Sequence, residues 1–365
     1  MKLSANREAL LKPLQAVIGV VERRQTMPIL ANVLLVAKND SVSVTATDLE
    51  VELVASAEVN VDNAGEVTVP GRKLLDICRA LPEGAEISVS QSGDKLNVRS
   101  GRSKFSLTTL PAAEFPTVED INAGSKIDVS QEVLARLLEK THFSMAQQDV
   151  RYYLNGLLLE TGGKTLRAVA TDGHRLALCE VETDGGKLPD QQVIVPRKGV
   201  LELQRLMSGE GELSIALGSN HVRIELDGIR FTSKLIDGRF PEYDRVIPKD
   251  AGNVVSADRE LFRAALQRTA ILSNEKYRGI RMIINTGSLV LQAHNPEQEE
   301  AEETLEVEYD GDDIEIGFNV NYLLDALSAV DSESVTLGLV DSNSSCLIQE
   351  PGKDDCKYVV MPMRL

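Results

Sequence analysis

The chain has 365 residues, 42% of them hydrophobic and 26% charged, which is ordinary for a globular protein. No apolar run approaches the roughly 18 residues of a membrane helix, and residues 1–20 lack a signal-peptide layout, so we expect a cytoplasmic chain with no membrane partner. The formal net charge of −17 argues against binding nucleic acid through phosphate contacts over the whole surface.

The acidic excess is concentrated in the last third of the chain. Residues 248–365 contain 22 acidic and 10 basic residues, whereas residues 1–122 contain 16 and 13. The acidic run at residues 297–303 is typical of a solvated surface. Contact with DNA would therefore need a local basic face or a topological link.

The first 122 residues read as a helix, several strands, a second helix and more strands. After a short polar entry, apolar residues recur at helical spacing from Leu10 to Val21 and again from Leu74 to Leu81. Residues 41–46 and 86–90 alternate between apolar and polar side chains, which predicts strands. Each helix has one apolar stripe, so each is expected to cover a sheet on one side.

The same order of elements occurs twice more. The aligned first helices carry Glu8, Glu132 and Glu260, at spacings of 124 and 128 residues. The second helices start near residues 69, 195 and 318, at spacings of 126 and 123. Because two landmarks keep one register, we predict three repeated α+β domains with helices on one face of antiparallel sheets. Their predicted boundaries are 1–122, 123–247 and 248–365.

The cysteines and histidines do not suggest a metal centre. The cysteines form no CxxC pair, and the histidines have no metal-ligand spacing. We expect four reduced structural thiols, no metal and no cofactor. The residues concerned are Cys78, Cys179, Cys346, Cys356, His142, His174, His221 and His294.

Residues 172–175, Asp-Gly-His-Arg, could suggest a catalytic acid–base pair. A turn capped by Asp172 is the favoured interpretation, because Asp48 and Glu50 recur in register with it. The sequence has no G-x-S-x-G elbow, no P-loop and no G-x-G-x-x-G fingerprint. We therefore expect no enzymatic activity.

Six predicted helices of similar facing suggest an arc with one helix surface on its concave side, and basic residues cluster on those helices. The alternative is that they lie on ordinary exposed helix faces. The second helix of the third copy has no basic residue, so the stripe is incomplete. Its members are Arg7, Lys12, Arg72, Lys73, Arg79, Arg136, Lys140, Arg197, Lys198, Arg205, Arg263 and Arg268.

Many short stretches, in order, carry a resemblance to a known family. They lie at residues 47–50, 69–73, 100–107, 143–145, 149–156, 170–176, 237–241, 270–279, 295–303 and 358–365. Together they resemble the bacterial DNA polymerase III β subunits, the sliding clamps, over the whole chain without a sizeable insertion. Each stretch alone is weak, but so many in order are specific.

The resemblance implies that two chains join head to tail as a homodimer, in a closed ring with helices on the inner face and sheets outside. The ring would encircle double-stranded DNA without sequence specificity and act as a processivity factor in DNA replication, since tethering keeps a polymerase near its template. The implied dimer interface places Lys73, Phe105 and Leu107 on one side and Ile271 and Leu272 on the other.

The resemblance also implies a partner-peptide cleft between the second and third domains. Apolar pockets would hold two hydrophobic anchors of the peptide, and Arg and His would supply polar edges. Asn343 stands where well-known members have an apolar residue, which puts the sequence preference in doubt. The implied cleft residues are Leu154, Thr171, Gly173, His174, Arg175, Leu176, Pro241, Arg245, Val246, Tyr322, Asn343, Ser345, Val359, Met361, Pro362, Met363 and Arg364.

For DNA contact the resemblance points to side chains on loops near one mouth of the ring and to two lining residues. Arginine can meet phosphate, and tyrosine can stack on an unpaired base. The alternative for the two tyrosines is ordinary strand aromatics. The implied residues are Arg24, Gln148, Tyr152, Tyr153, Arg197 and Lys198.

The implied partners are the catalytic subunit of DNA polymerase III, a clamp loader, other polymerases, ligase and mismatch-repair proteins. They would present Gln-x-x-Leu/Met-x-Phe-like motifs. Two other classes of function stay open: an enzyme centred on His174 and Arg175, and a monomeric scaffold that binds proteins but not DNA. Oligomeric mass separates the clamp from the scaffold.

Overall fold

The computed structural model of the chain describes residues 1–21, 27–118, 125–183, 187–249 and 251–364. Arg24, predicted to contact DNA, and the predicted boundary between residues 122 and 123 lie outside this part. Within it, no helix is long and apolar enough to cross a membrane, and no group of His, Cys, Asp or Glu side chains could hold a metal ion.

Within its described residues, the first third forms nine strands and two helices. They are β1 (Lys2–Asn6), α1 (Arg7–Val17), β2 (Asn32–Lys38), β3 (Ser41–Thr47), β4 (Val51–Glu58), β5 (Asn60–Asn63), β6 (Gly65–Pro70), α2 (Gly71–Ala80), β7 (Glu86–Ser92), β8 (Lys95–Ser100) and β9 (Ser103–Thr108).

The middle third repeats this order, with eight strands in the part of it that the structure describes. They and their helices are β10 (Ser125–Ser130), α3 (Gln131–Thr141), β11 (Gly156–Gly163), β12 (Thr165–Thr171), β13 (Arg175–Glu182), β14 (Leu188–Pro196), α4 (Arg197–Leu206), β15 (Glu212–Leu217), β16 (His221–Leu226) and β17 (Ile229–Lys234).

The last third repeats it again. Its elements are β18 (Asn253–Asp258), α5 (Arg259–Thr269), β19 (Gly279–Asn285), β20 (Ser288–His294), β21 (Glu300–Glu306), β22 (Ile314–Asn319), α6 (Val320–Ala329), β23 (Ser334–Leu339), β24 (Cys346–Gln349) and β25 (Cys356–Val360). In all three copies a short 3₁₀ turn follows the first helix: Ile18–Val20, His142–Ser144 and Ala270–Leu272.

The chain forms two compact units, each with two antiparallel sheets. The first unit, Met1–Leu134 with Lys198–Leu235, holds a five-stranded sheet ordered β5-β1-β7-β8-β9 and an eight-stranded sheet ordered β10-β15-β16-β17-β4-β3-β2-β6. The pairing of β17 with β4 joins strands from the first and middle thirds of the chain. β9 is left as an edge strand.

The second unit comprises Ala135–Arg197 and Ile236–Leu365. It holds an eight-stranded sheet ordered β14-β11-β12-β13-β25-β24-β23-β18 and a four-stranded sheet ordered β21-β20-β19-β22. β13 pairs with β25, so this larger sheet also joins two copies of the repeat, and β21 is an edge strand. The middle third therefore contributes strands to both units.

The helices bury the apolar stripes that the sequence predicts. In α1 the buried residues include Leu10, Leu14 and Val17, and in α5 they include Phe262 and Leu266. The polar starts act as caps, because the side chain of Asn6 accepts a hydrogen bond from the backbone of Glu8, and Asp258 accepts one from Leu261 at 2.8 Å. The predicted amphipathic helices are confirmed.

The entry to each first helix is a strand and not the short polar lead that the sequence suggests. β1 pairs with β7, placing Leu3 opposite Val89 and burying Leu3 and Ala5. β10 and β18 pair in the same way with β15 and β23. Each of these strands is only five or six residues long. The polar residues in them are also typical of a helix start, so the sequence did not predict the strands.

The expectation of four reduced cysteines is wrong for two of them. Cys179 and Cys356 lie directly opposite each other on β13 and β25, with their Cα atoms 4.1 Å apart, and are joined by a disulfide. Their separation of 177 residues gave no sequence signal for this pairing. Cys78 and Cys346 are free and buried, and burial raises the pKa of their thiols to about 11 and about 12.

Candidate partner and DNA-contact sites

A tight turn at Asp172 lies between β12 and β13 in the second unit. The Oδ1 atom of Asp172 accepts hydrogen bonds from the backbone N–H groups of His174 at 2.9 Å and Arg175 at 3.1 Å. The hydroxyl of Thr171 donates to the carbonyl of Arg175 at 2.6 Å. Gly173 has a φ of +87°, which favours glycine. The capped turn predicted at residues 172–175 is confirmed.

The C-terminal strand fixes the chain end beside this turn. Leu176 of β13 pairs with Val359 of β25. Beyond the strand, the backbone N–H of Met361 donates to the carbonyl of His174 at 2.9 Å, and that of Met363 donates to Gly317 at 2.8 Å. The tail residues 361–364 are thereby held next to the turn.

Arg175 forms a rigid wall of the same site. Its Nη2 atom donates to the carbonyl of Phe143 at 2.7 Å, and its Nε atom lies 3.1 Å from the Asp172 carboxylate. Its guanidinium stacks 4.5 Å from the centre of the Tyr322 ring, and Asp325 completes the ion pairs. Burial, with the nearby Asp172 carboxylate, raises the pKa of the Tyr322 hydroxyl. The side chain is therefore pre-positioned to present an edge to a ligand.

The floor beside the turn is an apolar cluster. Leu176, Val359 and Val246 were predicted for the cleft, and the other members were missed. Phe240 belongs to a Phe-Pro pair near the end of the second copy that matches Phe115-Pro116 in the first copy, and this recurrence was its sequence signal. The buried members are Leu158, Val169, Leu176, Leu178, Ile194, Phe240, Tyr243, Leu347 and Val359, with Tyr153, Ile236, Val246 and Ile247 packed against them.

The other predicted cleft residues differ in exposure. Leu154 and Thr171 are buried, and Met361, Pro362, Met363 and Ser345 are partly exposed. His174, Pro241, Arg245, Asn343 and Arg364 are exposed. Arg245 pairs with Glu242, and the backbone of Asn343 is held in a turn by Asp341 at 2.7 Å. The structure brings the turn, the tail and the apolar cluster together, with Arg245 and Asn343 on exposed turns.

The loop that carries Gln148 and Tyr152 is fixed by hydrogen bonds between residues of the loop itself. The Asp149 N–H donates to the side chain of Asn155 at 2.9 Å, and the Asn155 amide donates back to the Asp149 carbonyl at 2.9 Å. The Arg151 guanidinium, bonded to the Asp149 carboxylate, lowers the pKa of that carboxyl to about 2. A built loop therefore presents these side chains.

The tip of this loop is strongly exposed. Gln148 has a φ of +57° and is exposed, and Tyr152 is 58% exposed. Tyr153 instead packs against the apolar cluster, so Tyr152 is the tyrosine that can stack on a base. Val150 at the tip is 95% exposed, and sequence reasoning missed it because a lone valine carries no signal.

Arg197 and Lys198, the two predicted lining residues, both have internal partners. The guanidinium of Arg197 donates to the carbonyl of Met145 at 3.4 Å in the second unit. The ammonium of Lys198 pairs with Asp48 in the first unit. Both cations are half-buried, so any phosphate contact would compete with these bonds.

In the first group of predicted interface residues, Phe105 and Leu107 lie on β9, the edge strand of the first unit, and Lys73 lies on α2. Lys73 is exposed, Phe105 is half-buried and Leu107 is buried. The backbone edge of β9 beyond Phe105 has no neighbouring strand in its sheet. Arg102 and Lys104 are exposed here, which makes the edge basic.

The second group lies in the second unit. Ile271 is 75% exposed and Leu272 is half-buried, on the 3₁₀ turn after α5. The neighbouring β21 edge is acidic, with the exposed carboxylates Glu300, Glu302 and Glu306. The exposed apolar Ile271 therefore lies near an acidic strand edge, and the β9 edge carries charge of the opposite sign.

These features define a three-domain clamp fold with an apolar cluster beside the Asp172 turn and the tail, and three comparisons agree with that class. Profiles of the DNA polymerase III β subunit match the chain as an N-terminal domain at residues 1–119, a central domain at 128–242 and a C-terminal domain at 244–364. The β sliding clamp of Pseudomonas putida is 57% identical over the full length of both chains, and that of Escherichia coli is 52% identical.

The solved structures agree. The crystal structure of the DNA polymerase III subunit β from Pseudomonas aeruginosa superposes with a TM-score of 0.98 at 54% identity, and the Caulobacter crescentus protein does so with 0.97 at 42%, each covering both chains fully. The chain belongs to the family of DNA polymerase III β subunits. It is a DNA polymerase processivity clamp built of three DNA clamp domains, and a peptide cleft and homodimerisation are typical of the family.

Proposed function

We propose that two copies of this chain close head to tail into a ring that encircles duplex DNA. In this ring the helices line the inner face and the sheets form the outside. The domains are those bounded at 1–122, 123–247 and 248–365. The ring keeps the polymerase on DNA because it encircles the duplex, and not because it binds DNA tightly. The chain itself therefore performs no chemistry and needs no cofactor.

The observation that carries this proposal is the exposure of Ile271. In the first unit the 3₁₀ turn at Gly19 lies against Glu202 of α4, and in the second unit the turn at Phe143 is bonded by Arg175. The third 3₁₀ turn has the same place in the repeat, yet its central residue, Ile271, is 75% exposed. A second copy would supply the missing domain, as a head-to-tail contact that closes requires.

The partner-peptide site is proposed at the Asp172 turn, the tail and the apolar cluster beside them. Two hydrophobic anchors of a Gln-x-x-Leu/Met-x-Phe-like motif would bind on the cluster, with Met361 and Met363 adapting to different ligands. The proposed partners are the catalytic subunit of DNA polymerase III, the clamp loader, other polymerases, ligase and mismatch-repair proteins. We place this activity in the cytoplasm, where bacterial DNA is replicated.

For DNA contact we propose Gln148 and Tyr152 first. Their exposure and the fixed loop under them support this role. Tyr153, Arg197 and Lys198 are secondary, since each is half-buried against neighbouring groups of its own unit. Contacts this few suit a ring that must slide, because many phosphate contacts would act as a brake.

The test is the mass of the chain in solution, measured by sedimentation equilibrium. We expect a dimer of about twice 39.8 kDa, and mostly monomer after Leu272→Asp. Leu261→Asp is the matched control, because Leu261 is 63% exposed on the same helix–turn segment but away from the 3₁₀ turn. A monomeric wild type would refute the ring, and a Leu272→Asp dimer would refute the interface.

A further inference from the structure

Arg205 closes the end of a helix in the first unit. Its Nη2 atom donates to the carbonyl of Ala16 at 2.6 Å and its Nη1 atom to that of Gln15 at 3.3 Å. These carbonyls lie in the last turn of α1, where acceptors lack intrahelical donors and carry partial negative charge. Glu202 holds the guanidinium through its Nε atom at 2.9 Å. A cation on α4, from the middle copy, thus caps the first helix of the preceding copy.

A cation also caps a helix where α3 meets α6 in the second unit. The ammonium of Lys140 is buried and donates to the carbonyl of Ala329, in the last turn of α6, at 2.6 Å. Asp331 pairs with the same ammonium at 2.6 Å. At both helix contacts a cation on one helix satisfies the C-terminal carbonyls of a helix from the neighbouring copy, with Arg205 on the second helix of its copy and Lys140 on the first helix of its copy.

The repeat places the counterpart of the Arg205 contact between α2 of the first copy and α5 of the third copy. In a head-to-tail ring these two helices would come from different chains. The Val-Pro pairs at residues 69–70 and 195–196 set an offset of 126, which aligns Arg79 with Arg205 and Asp76 with Glu202. Glu8 and Glu260 set an offset of 252 for the first helices. That offset aligns the carbonyls of Gln267 and Arg268 with those that Arg205 caps.

The side chains at these positions are available for such a contact. Arg79 lies exposed in the last turn of α2, and within the described part of its own chain its guanidinium has no partner. Gln267 and Arg268 are also exposed. The Arg268 side chain is bonded twice to Glu303, at 2.5 and 2.6 Å, so its cation is neutralised within its own unit.

At each contact between a second helix and a first helix, an acidic residue of the second helix faces the 3₁₀ turn after the first helix. The sizes of the acidic residue and the turn residue vary together. Where the acidic residue is the longer Glu202, the facing 3₁₀ turn has Gly19 with no room for a side chain. Where it is the shorter Asp325, the turn has Phe143, and Arg175 bridges the two. At the third position the acid is Asp76 and the turn residue is Ile271, which matches the second combination.

We propose that Arg79 of one copy caps helix α5 of the partner copy, at the backbone carbonyls of Gln267 and Arg268, with Asp76 holding the guanidinium. The contact rests on the proposed head-to-tail ring and adds a specific bond to it. Arg79 is thereby a residue of the subunit interface, and not one of the cations that line the ring for DNA.

The experiment measures the dimer dissociation constant by subunit exchange between fluorescently labelled full-length chains. Each ring contains two such contacts, so a loss of about tenfold at each raises the dissociation constant about a hundredfold in Arg79→Ala. Arg79→Lys should lie between, because one ammonium cannot satisfy two carbonyls as a planar fork does. Lys12→Ala, which removes an exposed cation from α1, is the matched control and should change it less than twofold.

The outcomes separate this inference from the ring itself. If Leu272→Asp dissociates the dimer but Arg79→Ala stays within threefold of wild type, the cap is wrong and the ring stands. If Arg79→Ala weakens retention on DNA with an unchanged dissociation constant, Arg79 contacts phosphate and the cap is again wrong. A wild-type chain that never exchanges because it is monomeric would refute the ring. Equal melting temperatures of the variants show that each is folded.

Discussion

Two turns in the molecule share one backbone design and differ in what surrounds them. Asp48 in the first unit and Asp172 in the second each accept hydrogen bonds from the backbone N–H groups two and three residues later. The backbone of Lys234 donates to Glu50 at 2.8 Å just as that of Met361 donates to His174 at 2.9 Å. The repeat has preserved the turn and the strand that docks on it.

The side chains after the two turns differ in kind. Four residues after Asp172 comes Leu176, in an apolar cluster, whereas Glu52 follows Asp48 at the same distance and is 2% exposed. The Glu52 carboxylate accepts a hydrogen bond from the backbone of Val118 at 2.8 Å, so its own chain covers it. The same backbone therefore supports a closed polar contact in one unit and an apolar platform near the chain end in the other.

The largest expected change in peptide affinity comes from deleting the C-terminal tail, which lies beside the Asp172 turn and not beside the Asp48 turn. Deleting residues 361–365 removes the tail that lies beside the Asp172 turn. The segment at the corresponding place beside the Asp48 turn contains Lys234, and the chain continues beyond it. We expect affinity for a fluorescent Gln-Leu-x-Leu-Phe peptide to fall more than about a hundredfold, since both anchors lose part of their pocket. Fluorescence anisotropy measures this, and sedimentation should show an intact dimer. Loss of the dimer instead would mean that the tail is structural.

A matched pair of substitutions tests the turns themselves. Asp172→Ala removes two backbone hydrogen bonds and the partner of Arg175, so peptide affinity should fall about tenfold. Asp48→Ala removes the same two bonds and the partner of Lys198, and peptide affinity should not change. The same anisotropy titration measures both variants. Equal losses would place the peptide somewhere other than the Asp172 turn.

The loop tyrosines offer a smaller contrast. Tyr152→Ala should weaken binding to primed DNA about fivefold to tenfold, because base stacking on an aromatic ring contributes about 1–3 kcal/mol. Tyr153→Ala should mainly lower thermal stability, since Tyr153 packs on the apolar cluster. Gln148→Ala should weaken loading and leave peptide affinity unchanged. An equal DNA effect of Tyr152→Ala and Tyr153→Ala would contradict the assignment.

The smallest predicted effect concerns Glu52 and pH. Burial raises the pKa of Glu52 above its ordinary value of 4.5 in the folded chain. The folded state then binds more protons than the unfolded state between the two values, so this residue's contribution to stability falls as pH rises through that window. Glu52→Gln keeps an acceptor for Val118 and should stabilise the first unit by on the order of 1 kcal/mol at pH 7.

Thermal unfolding at several pH values checks the sign of this effect. The gain in melting temperature from Glu52→Gln should be small near pH 4 and larger at pH 7. Leu176→Met in the second unit, an apolar exchange of similar volume, is the pH-independent control. A gain that shrinks towards neutral pH would show that the Glu52 carboxylate is stabilised by Arg230 and Arg223 more than burial costs it.

The repeated architecture was predictable, because amphipathic helices and alternating strands leave a clear period. The apolar stripe of α5 and the cap at Asp258 follow from the sequence directly. The strand β1 was not predicted, because it is short and its pairing with β7 joins residues 80 to 88 positions apart. The disulfide between Cys179 and Cys356 was missed for the same reason.

The Asp172 turn of the candidate site was predictable from the sequence. The apolar cluster beside it was predictable only in part. Asp172 recurs in register with Asp48, so its turn could be expected from the repeat. Leu347 and Phe240 converge with Leu176 only through the sheet, and no local pattern marks that convergence. The exposure of Ile271 was implied only by the resemblance, which places it in a dimer interface, because an isoleucine–leucine pair by itself is typical of an ordinary core.

Retention on circular DNA tests the central claim most directly. The full-length chain is loaded onto nicked circular DNA by its cognate loader with ATP, and the amount retained is measured before and after the circle is linearised. We expect retention on circles and loss from linear DNA, because a closed ring slides off a free end. Equal retention on both forms would contradict it, since the chain would then hold DNA by contact and not by topology.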